Sequence, residues 1–322
     1  MEREKQLEYN RPWILQRADP YVYRHTDGWY YFTASVPAYD GICLRRAKTL
    51  AELPEAEEVE VWHKHESGIM SEHIWAPELH YLFGKWYLYF AGGEKEDVWK
   101  IRPYVLECAD EDPLAGTWKE LGMMKRADED EFSFTAFSLD ATVFENKGNY
   151  YYVWAEKVGT GKQISNLYIA QMEAPDRLKT VQVLLTTPDY DWERHGFWVN
   201  EGPAVIQKDG KVFMTYSASD TGVHYCMGMM TADADADLLD PLSWKKERYP
   251  VLTSSEKAGI YGPGHNSFTK DEAGDDIMVY HARTETEIVG NPLYNPNRHA
   301  MLMKIRWQDG RPVFGCDEQD CR

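Results

Sequence analysis

The stretch RADPYVYRHTDGWYYFTAS, residues 17–35, decides the fold. It consists of a short apolar segment, a turn at Asp27 and Gly28, and a second segment of aromatic and aliphatic residues, which is the pattern of a β-hairpin. One carboxylate, Asp19, stands at the start of the first strand. An acid at the mouth of an apolar strand pair costs free energy unless another group uses it. We therefore asked whether the same arrangement recurs along the chain.

The hairpin pattern recurs four times, each time with an aromatic or aliphatic second strand. The further units are APELHYLFGKWYLYFAG (76–92), DATVFENKGNYYYVWAE (140–156), GPAVIQKDGKVFMTYSAS (202–219) and GHNSFTKDEAGDDIMVYHA (264–282). Their turns follow one another at a spacing of about 60 residues, and a fixed period built of strands indicates a propeller. We predict an all-β, five-bladed β-propeller that forms a single domain over residues 1–322. Either the last strand pair, 299–314, or the N-terminal strand closes the ring.

The composition excludes some classes of function and favours others. A formal net charge of -18 argues against binding to nucleic acids or to anionic membranes. The 12 Trp, 21 Tyr and 11 Phe indicate a strand-rich core, in which a handful of rings could stack on a sugar. The N-terminal residues contain no apolar run, which predicts no signal peptide and a cytoplasmic protein. The cysteines are expected to be free thiols and are Cys43, Cys108, Cys226, Cys316 and Cys321.

A polar residue stands near the start of the first strand of each unit. These residues are Asp19, Glu78, Asp140, Glu201 and His265. The innermost strands of a propeller begin at one end of the central axis, so these side chains are expected to converge. Two acids in one pocket suit glycoside hydrolysis, because one carboxyl donates a proton and the other activates water or attacks carbon. We interpret Asp19, Asp140 and Glu201 as catalytic acids in register across the repeats, and we place Glu78 outside catalysis.

Five motifs carry a resemblance to a known family: ADPYV (18–22), IWAPEL (74–79), LDATVF (139–144), NEGPAV (200–205) and GPGHNSF (262–268). In this order and spacing they resemble glycoside hydrolase family 43, whose members are five-bladed propellers that invert the anomeric configuration. The resemblance implies that Asp19 is the general base, Glu201 the general acid, and Asp140 a helper that raises the pKa of the acid and orients it.

The same resemblance implies residues that bind substrate. Arg298 matches an active-site arginine and is expected to pair with Asp140 and with sugar hydroxyls, while Arg283 is its rival. Trp75 and Phe137 resemble pocket aromatics, and each could equally belong to the core. His265 matches a histidine of the central channel, where it either contacts a hydrated calcium ion or makes ordinary hydrogen bonds. No cofactor is expected to be required, apart from such a structural calcium.

The resemblance also implies the substrate class, which is arabinose- or xylose-containing oligosaccharides and polysaccharides such as arabinan and xylan. NEGPAV, YGPGHNSF (261–268) and NPNRH (295–299) are most similar to the α-L-arabinofuranosidase branch of the family. A β-xylosidase on the same scaffold is the alternative, and a non-catalytic sugar-binding propeller is a third hypothesis. The presence of all three acids argues against the last.

Overall fold

The computed structural model describes residues 7–159 and 163–315. Over these residues the chain forms five antiparallel sheets arranged as the blades of a propeller, and a separate two-stranded hairpin. The prediction of an all-β, five-bladed propeller is confirmed. The five predicted hairpins are the two innermost strands of the five blades, as expected from their turn residues and apolar second strands.

The strands follow one another blade by blade. After β1 (Pro12–Ile14), the first blade contains β2 (Ala18–Arg24), β3 (Tyr30–Ser35), β4 (Gly41–Ala47) and β5 (Val59–His63). The second contains β6 (Glu72–Leu82), β7 (Lys85–Glu94), β8 (Asp97–Cys108) and β9 (Trp118–Met123). The third contains β10 (Ser138–Asn146), β11 (Asn149–Val158), β12 (Ile164–Ala174), β13 (Arg177–Leu178) and β14 (Val183–Thr186).

The last two blades complete the ring. The fourth contains β15 (Asn200–Lys208), β16 (Lys211–Ala218), β17 (Cys226–Asp233) and β18 (Lys245–Lys246), and the fifth contains β19 (Tyr261–Lys270), β20 (Asp276–Arg283) and β21 (His299–Lys304). The separate hairpin consists of β22 (Arg306–Gln308) and β23 (Arg311–Val313). Short 3-10 helices lie at Leu50–Glu55, Asp191–Glu193 and Pro241–Ser243. None of the helices in the described ranges is long and apolar enough to cross a bilayer.

The N-terminal strand closes the ring. β1 pairs with β21 as the outermost strand of the fifth blade, with Pro12 opposite Met301 and Ile14 opposite Ala300. This decides between the two alternatives left open by the sequence. Residues 299–314 do not form a strand pair after the fifth blade, because 299–304 is β21 of that blade, and β22 and β23 pair only with each other among the described strands. Pairing of β1 covers an edge that would otherwise expose unpaired backbone groups.

A hydrophobic cluster lies between each pair of neighbouring blades. Between the first and second blades, for example, Ile42 and Leu44 pack with Leu79, Leu88 and other buried residues. Four equivalent clusters lie between the remaining neighbours, including the fifth and first blades. This repetition follows from the apolar second strands, since a blade buries both faces of its sheet only against its neighbours.

Each innermost strand is interrupted by a bulge at the same point. The pairing register of every inner hairpin shifts there, and one residue takes a left-handed backbone conformation. The left-handed residues are Asp19 (φ 55), Ala76 (φ 47), Asp140 (φ 52), Gly202 (φ 54) and His265 (φ 44). A bulge bends its strand and re-aims a side chain. The repeated bulge therefore turns five equivalent positions towards the axis.

Candidate active site

The bulges surround one pocket at an end of the central axis. Its volume is about 640 Å³. Residues from several blades line it, including Asp19, Tyr39, Trp75, Trp99, Phe137, Asp140, Lys157, Glu201, Asp220, Tyr225, His265 and Arg298. The three acids singled out in the sequence therefore face one cavity, although each comes from a different blade.

Asp19 is a buried carboxylate surrounded by donors. Ser35 Oγ donates a hydrogen bond to Asp19 Oδ2 at 2.6 Å, and Nδ1 of His265 and Nη1 of Arg298 lie 3.2 Å and 3.6 Å from Oδ1. The backbone N–H of Asp19 donates to His281 Nδ1 at 3.0 Å. Burial by itself raises the pKa of Asp19, but His265 and Arg298 outweigh burial and hold the pKa well below its usual range. Asp19 is therefore ionised over the working range of pH.

The pKa values of Asp140 and Glu201 are shifted in the opposite direction from that of Asp19. Burial raises the pKa of both carboxyls, and the charge of Glu201 raises the pKa of Asp140 further. Each accepts a hydrogen bond, Asp140 Oδ2 from the backbone N–H of Gly202 at 3.2 Å and Glu201 Oε1 from the hydroxyl of Tyr225 at 2.9 Å. The two acids interact and titrate as a pair, so the pair retains a proton that an isolated carboxylate would lose.

The register of the acids differs from our prediction. Asp19 and Asp140 occupy the bulge position of their strands, as His265 does in the fifth blade. Glu201 lies one residue before the bulge position, which Gly202 occupies. The prediction that the three acids are equivalent was wrong, because it aligned residue types and the bulge aligns backbone positions.

Glu78 lies two residues beyond the bulge of its blade and does not line the pocket. Its Oε2 is 2.8 Å from Nε2 of His80, and both side chains are buried. The structure thus places Glu78 with a histidine partner in its own strand and away from the pocket.

The two arginines have different surroundings. Arg298 lines the pocket, donates to Tyr39 Oη at 2.7 Å and lies beside Asp19. We expected it to pair with Asp140, and this was wrong, since the bulge of the first blade brings Asp19 to its guanidinium. Arg283 is 1% exposed and is absent from the pocket lining.

Arg283 is held by the loop that precedes β21. It donates to Asn295 Oδ1 at 2.6 Å and to the carbonyl of Pro292 at 2.8 Å. The expectation that Arg283 binds substrate is therefore corrected. Its guanidinium is used to hold a loop whose residues 291–293 line the pocket.

The predicted aromatic residues lie in the pocket wall. Trp75 packs against His73, with ring centroids 4.5 Å apart, and its buried Nε1 has no hydrogen-bond partner among residues 7–159 and 163–315. Phe137 is half-buried, and the ammonium of Lys157 lies 3.8 Å from the centre of its ring. Trp75 thus offers a free donor, while one face of Phe137 is covered by a cation.

His265 lies between the acids, with Nδ1 3.2 Å from Asp19 Oδ1 and 3.7 Å from Asp140 Oδ2. Burial lowers its pKa, but the surrounding carboxylates, Asp19 first, raise it overall and favour the imidazolium form. An imidazolium has no lone pair for a metal ion. Across residues 7–159 and 163–315, no three His, Cys, Asp or Glu side chains are grouped so as to hold one.

Calcium takes oxygen ligands, so direct coordination by the imidazole of His265 does not fit its preference. A hydrated calcium ion contacted through water stays a prediction.

Several residues of the site were not predicted from the sequence. Tyr39 and Tyr225 come from loops, and Lys157 and His281 come from the second strands of their blades; the order of these residues along the chain does not reveal which of them face the axis. His281 lies opposite Gly264 in the predicted hairpin 264–282, and this position beside the GPGHNSF motif was the available clue. Of the cysteines, Cys43, Cys108 and Cys226 are free, while Cys316 and Cys321 lie outside the described residues.

Comparison with known proteins decides the family. The sequence profile of Glycosyl hydrolases family 43 matches residues 9–312. The chain belongs to family 43. A crystal structure of an α-L-arabinofuranosidase from Lactobacillus brevis is 51% identical in sequence, with a TM-score of 0.89 over 95% of this chain and 96% of that one. The family 43 resemblance of the five motifs is thereby confirmed.

Two curated relatives carry a more specific description. An extracellular exo-α-(1→5)-L-arabinofuranosidase from Streptomyces avermitilis is 49% identical over 97% of this chain, which spans 64% of the length of that enzyme. An enzyme of the same description from Streptomyces chartreusis is 50% identical over 88% of this chain and 85% of its own length. Both are extracellular, which contradicts our expectation of a cytoplasmic protein. That expectation rested on the first residues of the chain, and these carry no evidence about compartment.

Proposed function

We propose that this chain is an inverting, exo-acting α-L-arabinofuranosidase that releases terminal arabinofuranosyl residues from arabinose-containing oligosaccharides or polysaccharides. The observation that carries the proposal is the set of three carboxyls in one pocket, with the pKa of Asp19 lowered and those of Asp140 and Glu201 raised. Relatives of about half-identical sequence with this activity support the choice of sugar over the β-xylosidase alternative.

The opposite pKa directions separate the base, Asp19, from the other two acids, and the family motifs divide the remaining roles between Glu201 and Asp140. An ionised Asp19 serves as general base and removes a proton from a water molecule that attacks the anomeric carbon. Glu201 serves as general acid and protonates the departing glycosidic oxygen with the proton that the pair retains. Asp140 is the helper, because its negative charge, when present, opposes ionisation of the acid. Inversion requires room for water between base and acid, at a carboxyl separation of about 6.5–9.5 Å.

Two buried donors in the pocket support sugar binding. Trp75 Nε1 and Arg298 Nε have no hydrogen-bond partner within the described residues. A buried donor without a partner costs free energy, which a ligand acceptor recovers. The hydroxyl oxygens of a sugar are acceptors of this kind, so we assign both donors to the arabinosyl subsite.

The test measures how strongly the rate depends on the leaving group. Glu201→Gln removes the transferable proton with little change of shape. Activity on alkyl arabinofuranosides or α-1,5-arabino-oligosaccharides should fall by about 10²–10⁴-fold. Activity on dinitrophenyl arabinofuranoside, which needs little protonation, should fall much less. NMR of the first product formed by the unmodified protein should show the inverted anomer.

Glu78→Gln is the matched control, since it changes a buried glutamate outside the pocket lining. It should leave the leaving-group dependence unchanged. An equal loss on both substrate types in Glu201→Gln would remove Glu201 from the acid role. Release of xylose with no release of arabinose would favour the alternative enzyme.

A further inference from the structure

Tyr225 connects the proton donor to the strand beside it. Its hydroxyl donates to Glu201 Oε1 at 2.9 Å and also hydrogen-bonds with Ser217. Ser217 lies directly opposite Glu201 in the pairing of β15 and β16, and its Oγ accepts the backbone N–H of His265 at 2.7 Å. Ser217 therefore fixes the hydroxyl of Tyr225, and Ser217 is itself fixed by its place in β16 and by its hydrogen bond to β19.

The ring of Tyr225 is held as firmly as its hydroxyl. It stacks on His281 with centroids 5.5 Å apart and an interplanar angle of 7°. His281 is buried and accepts a hydrogen bond from the backbone N–H of Asp19. The stacked rings of Tyr225 and His281 therefore connect Glu201, the acid, with Asp19, the base. On another side, a Cβ at Gly264 would lie 2.5 Å from Cε1 of Tyr225. The absence of a side chain at Gly264 leaves the space that the ring uses.

We propose that Tyr225 is a positioning residue for the proton donor, whose hydroxyl holds Oε1 of Glu201 so that the proton resides on Oε2 and faces the leaving group. This inference rests on the proposed function, since it assigns a device to the same acid. A hydroxyl that donates to one carboxyl oxygen leaves the other oxygen to carry the proton. The rotation of the carboxyl is restricted at the same time, which favours productive transfer.

The hydrogen bond also affects the titration of the acid. Burial raises the pKa of Glu201, while the charge of His265, the hydroxyl of Tyr225 and the ammonium of Lys157 lower it. The carboxylates that face it are Asp19, which raises its pKa, and Asp140, whose own pKa Glu201 raises. A donor to the carboxylate stabilises the ionised form. Loss of the hydroxyl should therefore raise the pKa of the acid and move the alkaline limb to higher pH.

The experiment compares the pH dependence of kcat/KM in the unmodified protein and Tyr225→Phe, on an alkyl and a dinitrophenyl arabinofuranoside. The variant should shift the alkaline limb up by about one pH unit, since hydrogen bonds to a charged group are among the stronger ones. Its kcat should fall about tenfold or more on the alkyl substrate and much less on the aryl one, because only the former depends on an oriented proton. A loss of packing alone would lower both equally.

A second variant keeps the shape of the ring. 3-Fluorotyrosine at position 225 is a stronger hydrogen-bond donor, so it should move the alkaline limb to lower pH. If Tyr225→Phe fails to fold, this variant alone tests whether the hydroxyl controls the pKa of Glu201. Tyr89→Phe is the matched control, because it removes a buried hydroxyl that donates to the carbonyl of Pro175, away from the pocket. It should shift neither limb.

Unchanged limbs in a folded Tyr225→Phe variant, or a shift to higher pH with fluorotyrosine, would overturn the inference. The proposed function fails separately, if the unmodified protein and Tyr89→Phe release no arabinose.

Discussion

At the scale of single residues, the site shows how one backbone position can hold carboxyls of opposite behaviour. Asp19 and Asp140 occupy the same bulge position in different blades and are both buried. Asp19 faces the guanidinium of Arg298 and accepts from Ser35, whereas Asp140 accepts one backbone N–H. Burial raises the pKa of each, and only Asp19 has enough positive charge nearby to reverse the direction. The identity of the neighbours therefore separates base from helper.

The pair of arginines tests this explanation. Arg298→Gln removes a positive charge 3.6 Å from Asp19. The pKa of Asp19 should rise, and because the base must be ionised, the acidic limb of kcat/KM should move to higher pH by about one unit or more. As the pH falls through the raised pKa, Asp19 of the variant takes up a proton and the variant loses activity. The unmodified protein is still active at that pH, because its Asp19 is still ionised. The position of the limb is the readout, since sugar binding is also expected to weaken.

Arg283→Gln provides the comparison, because its guanidinium contacts Asn295 and Pro292 rather than a carboxylate of the site. It should lower stability and leave the acidic limb in place. An acidic limb that is the same in the Arg298 variant and the unmodified protein would mean that Arg298 does not control the base.

At the scale of elements, the bulged inner strands and their glycines shape the site. Gly202 occupies the left-handed position in β15, where a β-carbon would lie 3.1 Å from the ring of His265. Gly264 in β19 has an ordinary backbone conformation, so its role is to leave room for Tyr225 and Ser217. The glycines of NEGPAV and GPGHNSF thus allow neighbouring side chains of the site to pack closely against the backbone.

Gly264→Ala should displace the ring of Tyr225. The added methyl would lie 2.5 Å from Cε1 of Tyr225 and 2.8 Å from Ser217 Oγ. We expect a loss of about 1–3 kcal/mol in stability, which is usual for overpacking, together with an alkaline limb displaced in the same direction as in Tyr225→Phe. Chemical unfolding and the pH profile of kcat/KM measure the two effects.

Gly210→Ala is a suitable control, because the glycine lies in a turn with φ +75 and open space around it. This variant should lose about 1 kcal/mol from backbone strain and keep the pH profile. If Gly264→Ala keeps the profile as well, the close approach to Tyr225 has no influence on the acid.

At the scale of the whole molecule, the ring holds the site together. The pocket needs side chains from several blades, and their separation depends on the packing of five interblade clusters and on closure by β1. Between the fifth and first blades, Ile14 of β1 packs with Leu302 and Phe32. Closure therefore joins the two ends of the described chain next to the blade that carries Asp19.

Ile14→Ala should weaken this closure. Ile14 is 3% exposed, and truncation of a buried isoleucine costs about 2–5 kcal/mol. We expect a lower midpoint of thermal unfolding and an unchanged pH profile below the transition, since the residue does not line the pocket. The adjacent Leu15, which is 64% exposed, supplies the control, and Leu15→Ala should change the midpoint little. Equal midpoints for the two variants would argue against closure by β1 as a source of stability.

The sequence by itself determined the number of blades and the inner hairpin of each, because strand periodicity and turn residues are local properties, and it indicated the three acids through the motifs at the starts of these hairpins. Only the tertiary structure decided that Glu201 is offset from the bulge, that Arg298 lies beside Asp19, and that Tyr225 contacts the acid. Asp19 and its partner His281 are 262 residues apart in the chain. Contacts of this kind depend on how blades pack around the axis, and the pKa of a carboxyl depends on these contacts, so neither follows from the order of residues along the chain.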